Sequence, residues 1–265
     1  MRRSRIILSA VLLAVFSLGA YAAFMYVYTE WKFAPVELLQ EPNHAAPHAQ
    51  WNAPQERLFI HQVNTVRRAK NKDRSYNGYE LDLLPETAGG ELFVAHDESA
   101  LPGKVKLADI FSAVKNPQDK TYWLDLKTEL TPAQLDEILQ TARQFNVPEQ
   151  NLLFETVPGP TAKLINKKGL ALLLQLTDGF DEDEKDPAKR AEINRRALAE
   201  WTEYRPAAVT ASFGKYPYLR AYFPDMPKAV YYSATRRPSL KKPFMVRHIQ
   251  KDPSVRIFMI DEYTW

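Results

Sequence analysis

From Arg57 onward, short apolar runs of about five residues alternate with amphipathic or turn-rich segments. The runs are Leu58–Ile60, Tyr79–Leu83, Leu92–Ala95, Tyr122–Leu126, Leu152–Glu155, Ala171–Leu176, Ala208–Ser212, Ala229–Ser233 and Arg256–Ile260. Several are apolar throughout, which suits parallel strands covered on both faces. The segments between them carry helix signals. Thr131-Pro132-Ala133-Gln134 is a capping box with proline at the first helical position, followed at helical spacing by Leu135, Ile138, Leu139, Ala142 and Phe145. Asp186-Pro187 opens a second helix with Ile193, Ala197, Leu198 and Trp201 turned inward. A shorter helix around Leu164 and Ile165 ends at Gly169.

Strand–helix alternation over this length predicts an α/β fold. Leu92–Ala95 follows Tyr79–Leu83 across a Gly89-Gly90 turn with no room for a crossover helix, so it extends the second strand–helix loop. Eight strands remain, the number that closes a (β/α)8 TIM barrel. An open doubly wound sheet is the alternative, but the chain has only nine glycines and no G-x-G phosphate loop. No helix follows the eighth run, so the barrel is expected to lack a full last helix, with part of residues 32–56 covering that side.

The N-terminus adds a membrane element. Arg2, Arg3 and Arg5 precede Ile6 to Thr29, a charge-free run long enough to span a bilayer. The arginines favour the cytoplasmic side, which puts the rest of the chain outside. "AYA" at Ala20–Ala22 resembles a signal-peptidase site, and cleavage there would instead release a periplasmic protein. The apolar run continues through Phe24–Tyr28, which favours an uncleaved single-pass anchor in the inner (plasma) membrane, with Tyr26, Tyr28 and Trp31 at the interface. The expected organisation is a basic segment (1–5), a transmembrane signal-anchor (6–29), a Pro-rich linker (30–56) and the barrel (57–265). His44 and His48 fall among the linker prolines and read as solvated.

Charge and cysteine content exclude several functions. Lys and Arg number 35 and Asp and Glu 32, and the three N-terminal arginines account for the whole excess. Residues 6–265 are therefore neutral overall, and the excess charge does not mark a nucleic-acid surface. With no cysteine, disulfides, thiolate catalysis and thiolate-bound zinc are ruled out.

In a barrel of this class, chemistry gathers where the strands end. The first run ends at His61. The second carries Glu80 and Asp82, two apart and therefore on one face, with Tyr79, Leu81 and Leu83 on the other. The loop strand ends at His96, and the third run ends in Asp125 and Lys127 with the same spacing. Three carboxylates in an apolar setting repel one another unless a cation joins them. Oxygen ligands suit Mg²⁺, with Ca²⁺ as the alternative, and such a metal leaves positions open for a phosphate oxygen. His61 and His96 would act as base or nucleophile and as acid, and Lys127 would neutralise a phosphoryl oxygen. Together these residues suit cleavage of a phosphodiester.

The order His61, Glu80-x-Asp82, His96-Asp97, Asp125-x-Lys127 resembles the glycerophosphodiester phosphodiesterases, within the phospholipase-C-like phosphodiesterase superfamily. "HQVN" at His61–Asn64 is similar to the His-x-Val-Asn of the sphingomyelinase D and menorin-like branch, and "LDLKT" at Leu124–Thr128 to the Asp-Leu-Lys-Thr of sphingomyelinase D. The resemblance implies a barrel, a Mg²⁺ site at Glu80, Asp82 and Asp125, and catalytic His61 and His96. It further implies a glycerophosphodiester or phospholipid-like substrate, with hydrolysis and cyclisation both open. Gln62 stands where those phosphodiesterases carry a phosphate-gripping arginine, and only Asn64-Thr65 echoes their next segment. Asn64, Glu155, Arg236 and Arg237 are the candidate substrate contacts, the two arginines in "SATRRP" supplying the charge that Gln62 lacks. Gln175, Ser212 and Lys215 are weaker candidates. A catalytically inactive scaffold and a glycosidase with paired carboxylates are the competing readings. The acidic run Asp178–Asp186 lacks EF-hand spacing and reads as a solvated loop, the aromatics Tyr216, Tyr218, Tyr222 and Phe223 as core or lipid contact, and His248 as an exposed residue of the last helix.

Overall fold

The computed structural model describes residues 2–33, 36, 38–45, 57–88, 90–176, 185–232 and 242–261. Nine strands form: β1 (Leu58–Ile60), β2 (Gly78–Pro85), β3 (Leu92–Val94), β4 (Thr121–Leu126), β5 (Leu152–Thr156), β6 (Ala171–Gln175), β7 (Ala208–Ser212), β8 (Lys228–Tyr231) and β9 (Val255–Ile260). Eight of them pair in parallel in the ring β1-β2-β4-β5-β6-β7-β8-β9, closed by β9 on β1. The ninth, β3, runs antiparallel to the end of β2, with Leu83 opposite Val94. This is a closed (β/α)8 barrel in which the second strand–helix loop carries an extra hairpin arm.

Helices α1 (Arg2–Lys32), α2 (Val66–Lys72), α3 (Leu107–Ala113), α4 (Pro132–Gln144), α5 (Pro160–Lys167), α6 (Pro187–Tyr204), α7 (Tyr216–Tyr222) and α8 (Lys242–Gln250) complete the described architecture. The α4 capping box forms: Gln134 N–H donates to Thr131 Oγ1 at 3.2 Å, and Thr131 N–H to Gln134 Oε1 at 2.9 Å. Asp186 Oδ1 accepts from Ala188 N at 2.9 Å to start α6, and α5 is followed by Gly169 at φ 71.

Strand alternation sorts the side chains into two cores. Tyr79, Leu81, Leu83, Tyr122, Leu124, Phe154, Leu172 and Val209 point outward beneath the helices. Phe59, Trp123, Leu153, Leu173, Ala208, Ala229, Ile257 and Met259 fill the interior. Stepping two residues on from this interior layer gives the mouth layer, which is polar: His61, Asp125, Glu155, Gln175, Thr210 and Asp261. At the opposite end, buried Lys228 donates to Phe223 O and Met226 O at 2.8 Å each and to Ser254 Oγ at 3.0 Å, tying the loops under the barrel. Gly78 is required there. A Cβ on it would lie 2.7 Å from Phe59 Cγ and 2.8 Å from Leu58 O.

The side beyond β9 is covered chiefly by the end of α1, with less from the linker than expected. Met25, Thr29 and Phe33 are buried, and Phe33 meets Phe213, Tyr216 and His248. The helix runs to Lys32, so the linker begins later than the composition indicates. Its described part lies on the barrel: Asn43 N–H donates to Tyr222 O at 2.7 Å, and exposed His44 pairs with Asp225 at 2.6 Å. His48 lies outside the described residues. Tyr216, Tyr218, Tyr222 and Phe223 are core. His248 is a correction to the sequence reading. It is not on an exposed face: its side chain is 11% exposed, stacked on Phe33 with Nδ1 3.0 Å from Glu30 Oε1.

Candidate active site

The mouth layer is organised around three carboxylates. Glu80 and Asp82 leave β2 on the same side, and Asp125 stands beside Asp82 in the β2–β4 register. One oxygen from each lies within 4.8 Å of the others. Glu80 and Asp82 are each 1% exposed. Burial, then the charges of Asp82 and Asp125, pushes the Glu80 carboxyl well above its ordinary range. Burial also raises Asp125, against the pull of Lys127. The backbone N–H of Gln62 donates to Glu80 Oε2, a contact that Gln62 reaches with φ 53.

Lys127 is the cation among them. Its Nζ lies 2.6 Å from Asp82 Oδ1 and also meets Asp125 Oδ2. Burial pulls its ammonium down, but Asp125 and Asp82 outweigh burial and hold it above the ordinary lysine range. Asn64 brackets Asp82 with both ends of its amide. Its Nδ2 donates to Asp82 Oδ2, and Asp82 N–H donates to Asn64 Oδ1 at 3.0 Å. Asn64 thus orients the Asp82 carboxylate directly.

His61 follows β1 with a side chain 20% exposed. Its Nδ1 lies 2.7 Å from Asp261 Oδ1, and its Nε2 lies 4.0 Å from Glu80 Oε2. An ionised carboxylate only accepts, so Nδ1–H donates to Asp261 and the Nε2 lone pair faces the carboxylate cluster. The sequence reading missed Asp261. The signal available was a carboxylate directly after the eighth apolar run, on the inward side of the Ile257, Met259 alternation.

His96 ends the β3 arm, which Ala95 N–H fastens to Asp82 O at 3.0 Å. Its Nδ1 is 3.3 Å from Asp97 Oδ2, both side chains are more than half exposed, and it is near enough to Asp125 to lower that carboxyl slightly. Asp97 caps the turn beyond, accepting from Ser99 N at 3.0 Å and from the Ser99 hydroxyl, and the hydroxyl and then His96 hold its carboxyl low.

Glu155 lies in the interior beside Asp125, 5% exposed, with Oε2 accepting from Trp123 Nε1 at 2.6 Å. Burial, then Asp125, pushes its carboxyl up to about 8, with Thr210 and Trp123 offsetting part of the rise. Gln175 and Ser212 end β6 and β7 on the inner face. Arg236 and Arg237 lie outside the described residues. The structure therefore brings together His61, Glu80, Asp82, Asp125, Lys127 and Asn64, and adds Asp261.

The donor set fits a divalent cation. It offers three hard oxygen ligands, two of them almost fully buried, with outer hydrogen bonds that orient Glu80 and Asp82. Lys127 alone leaves the cluster net negative.

No family model matches the sequence, and no curated protein does. Among solved structures, a glycerophosphodiester phosphodiesterase from Parabacteroides distasonis superposes with TM-score 0.52 at 10% identity, over 79% of this chain and 94% of that one. N-(5'-phosphoribosyl)anthranilate isomerase from Pyrococcus furiosus gives 0.48 at 9% identity, over 80% and 90%. A calcium-dependent phosphoinositol-specific phospholipase C from a Pseudomonas species gives 0.46 at 17% identity, over 84% and 95%. The first likeness establishes the barrel. At that identity it carries the fold and not the reaction.

Proposed function

We propose that this chain is a metal-dependent phosphodiesterase acting on glycerophosphodiesters or phospholipid-like phosphodiesters. The observation that carries the reading is the convergence of Glu80, Asp82 and Asp125 within 4.8 Å at the barrel mouth, with His61 beside them. Glu80, Asp82 and Asp125 would hold Mg²⁺ or Ca²⁺, which when bound supplies a Lewis acid for a phosphoryl oxygen. The Parabacteroides barrel is itself named a glycerophosphodiester phosphodiesterase, which favours the same reaction class here.

Each residue has a task. Asp261 fixes the His61 tautomer and stabilises the imidazolium that forms. His61 Nε2 takes the proton of the attacking hydroxyl, from water or from the substrate itself. The phosphorus–oxygen bond to the leaving group breaks, and His96 gives that oxygen a proton. Lys127 balances charge on the phosphoryl oxygens while keeping Asp82 and Asp125 in place. With N-terminal arginines on the cytoplasmic side, the site stands outside the cytoplasm, in the inner (plasma) membrane.

The test is release of choline, ethanolamine or glycerol by the full chain, read by mass spectrometry with Mg²⁺, Ca²⁺ or EDTA. Turnover should require metal and disappear in His61→Ala and Glu80→Gln. Incorporation of ¹⁸O from labelled water into the first product marks hydrolysis, and its absence marks cyclisation. Turnover that survives both substitutions, or none from a folded protein that binds metal, would refute the reading.

A further inference from the structure

The position of α1 bears on where the substrate comes from. Its stretch Ala10–Glu30 is long and apolar enough to cross a membrane. Only its last turns touch the barrel. Phe33 lies between α7 and α8, edge-on to Phe213 and Tyr216 at 6.0 and 5.8 Å between ring centroids. One turn earlier, Glu30 meets His248 on α8. Phe213 in turn packs on Tyr232, the residue that follows β8, at 4.4 Å between ring centroids. The Tyr232 phenol is raised by burial and then by Asp261, which follows β9, and Tyr28, so both lie within electrostatic reach of it. Met25 is buried, Tyr21 and Ala22 are half-buried, and residues 10–20 are all exposed. Traced back from Phe33, the helix therefore climbs the barrel wall to the strands' C-terminal ends and continues past them.

The lengths agree with a membrane beginning at that rim. Ala10 to Tyr28 at 1.5 Å per residue is about 27 Å, close to the ~30 Å of a hydrocarbon core. Tyr26 and Tyr28 then fall at the aromatic belt. Across the mouth, after β5, Val157 is 50% exposed, the one large apolar side chain so exposed among the described residues from Arg57 onward. Asp261, which follows β9 at this rim, holds His61 at 2.7 Å.

We propose that the barrel mouth is held against the bilayer surface and takes its substrate from the same leaflet, so that the substrate class is a lipid phosphodiester rather than a water-soluble glycerophosphodiester. The substrate half rests on the phosphodiesterase reading; the docking half does not. A site held this way meets lipid headgroups without leaving the membrane, and tethering makes the encounter effectively intramolecular.

Both halves are tested with the full chain in vesicles of phosphatidylcholine and phosphatidylglycerol. The chain has no cysteine, so single fluorescent labels are placed cleanly. Ala100→Cys and Val157→Cys mark the mouth; Gln118→Cys and Lys251→Cys mark the far end, and all four positions lie outside the proposed machinery. Lipids with nitroxide headgroups should quench both mouth labels strongly and leave both far-end labels near their unquenched intensity. Equal quenching of the two pairs, stronger quenching at the far end, or none at either would overturn the docking. In the same vesicles, phosphodiester lipid placed with the protein should turn over faster than lipid in separate vesicles, or soluble glycerophosphodiester at equal bulk concentration, by on the order of 100-fold. Equal rates would overturn the lipid assignment while leaving the phosphodiesterase intact. No turnover of any phosphodiester, with the mouth labels quenched, would remove the substrate half together with the phosphodiesterase reading and leave the docking standing.

Discussion

Glu155→Gln separates charge from shape at the centre of the barrel. The wild-type carboxyl is pushed up to about 8 from an ordinary 4.5, burial being the main cause. A folded-state proton held more tightly than in the unfolded chain stabilises the fold fully below about pH 4.5, and that contribution is lost as pH rises through about 8. At 1.36 kcal/mol per pH unit the gap corresponds to about 5 kcal/mol, an upper bound for a carboxyl that shares its surroundings with Asp125. Glutamine keeps the volume, and its carbonyl still accepts from Trp123 Nε1. The expected result is a pair of stability curves that coincide near pH 5 and separate as pH rises, the variant being more stable by several kcal/mol at pH 8.5. Urea unfolding of the full chain in detergent with EDTA, followed by tryptophan fluorescence, reads this directly. Adding Mg²⁺ or Ca²⁺ should narrow the separation, because a cation beside Asp125 lowers the cost of ionising Glu155. A difference that stays constant from pH 5 to 8.5 would refute the assignment of a raised, buried carboxyl.

Three further outcomes follow from the same geometry. Asn64→Ala frees Asp82 from its bracket and should weaken metal affinity by about 10–100-fold in titration calorimetry; in the wild type, affinity should fall as pH is lowered, because the raised Glu80 must shed its proton to bind. Asp261→Asn should lower kcat by about 10²–10⁴ with metal affinity unchanged, since it removes the carboxylate that fixes the His61 tautomer. Gly78→Ala should destabilise the barrel by about 1–3 kcal/mol through its collision with Phe59, and adding Phe59→Leu should recover part of that loss in denaturant midpoints.

The barrel was legible because each strand is buried on both faces and written as an apolar run; eight of the expected runs form the ring and Leu92–Val94 forms the arm. Helices such as α2 were not. "VRRAKNK" has one buried residue, Ala69, so it presents no apolar stripe, and its position is set by the barrel. Within the candidate site, Glu80, Asp82, Asp125 and Lys127 could be read from period-two spacing inside apolar strands. Asp261 could not be assigned a role, because its partner His61 is 200 residues away and meets it only when the last strand closes on the first. His248 was misplaced for the same reason: its partner, Glu30, is 218 residues earlier, in a helix whose composition marks it only as a membrane segment.

Because Met25, Thr29 and Phe33 are buried against the barrel, the N-terminal helix is also a folding element. A truncation that begins after Phe33 would bare the groove formed by Phe213, Tyr216, Met245 and Ile249, leaving an apolar strip on a protein otherwise fit for water. Such a fragment should self-associate, whereas one that begins at Ala23 keeps the docked turns and should remain monomeric. The same logic sets an order of events at biogenesis. Where α1 is inserted as proposed, its outer end must clear the insertion machinery before the last side of the barrel can close.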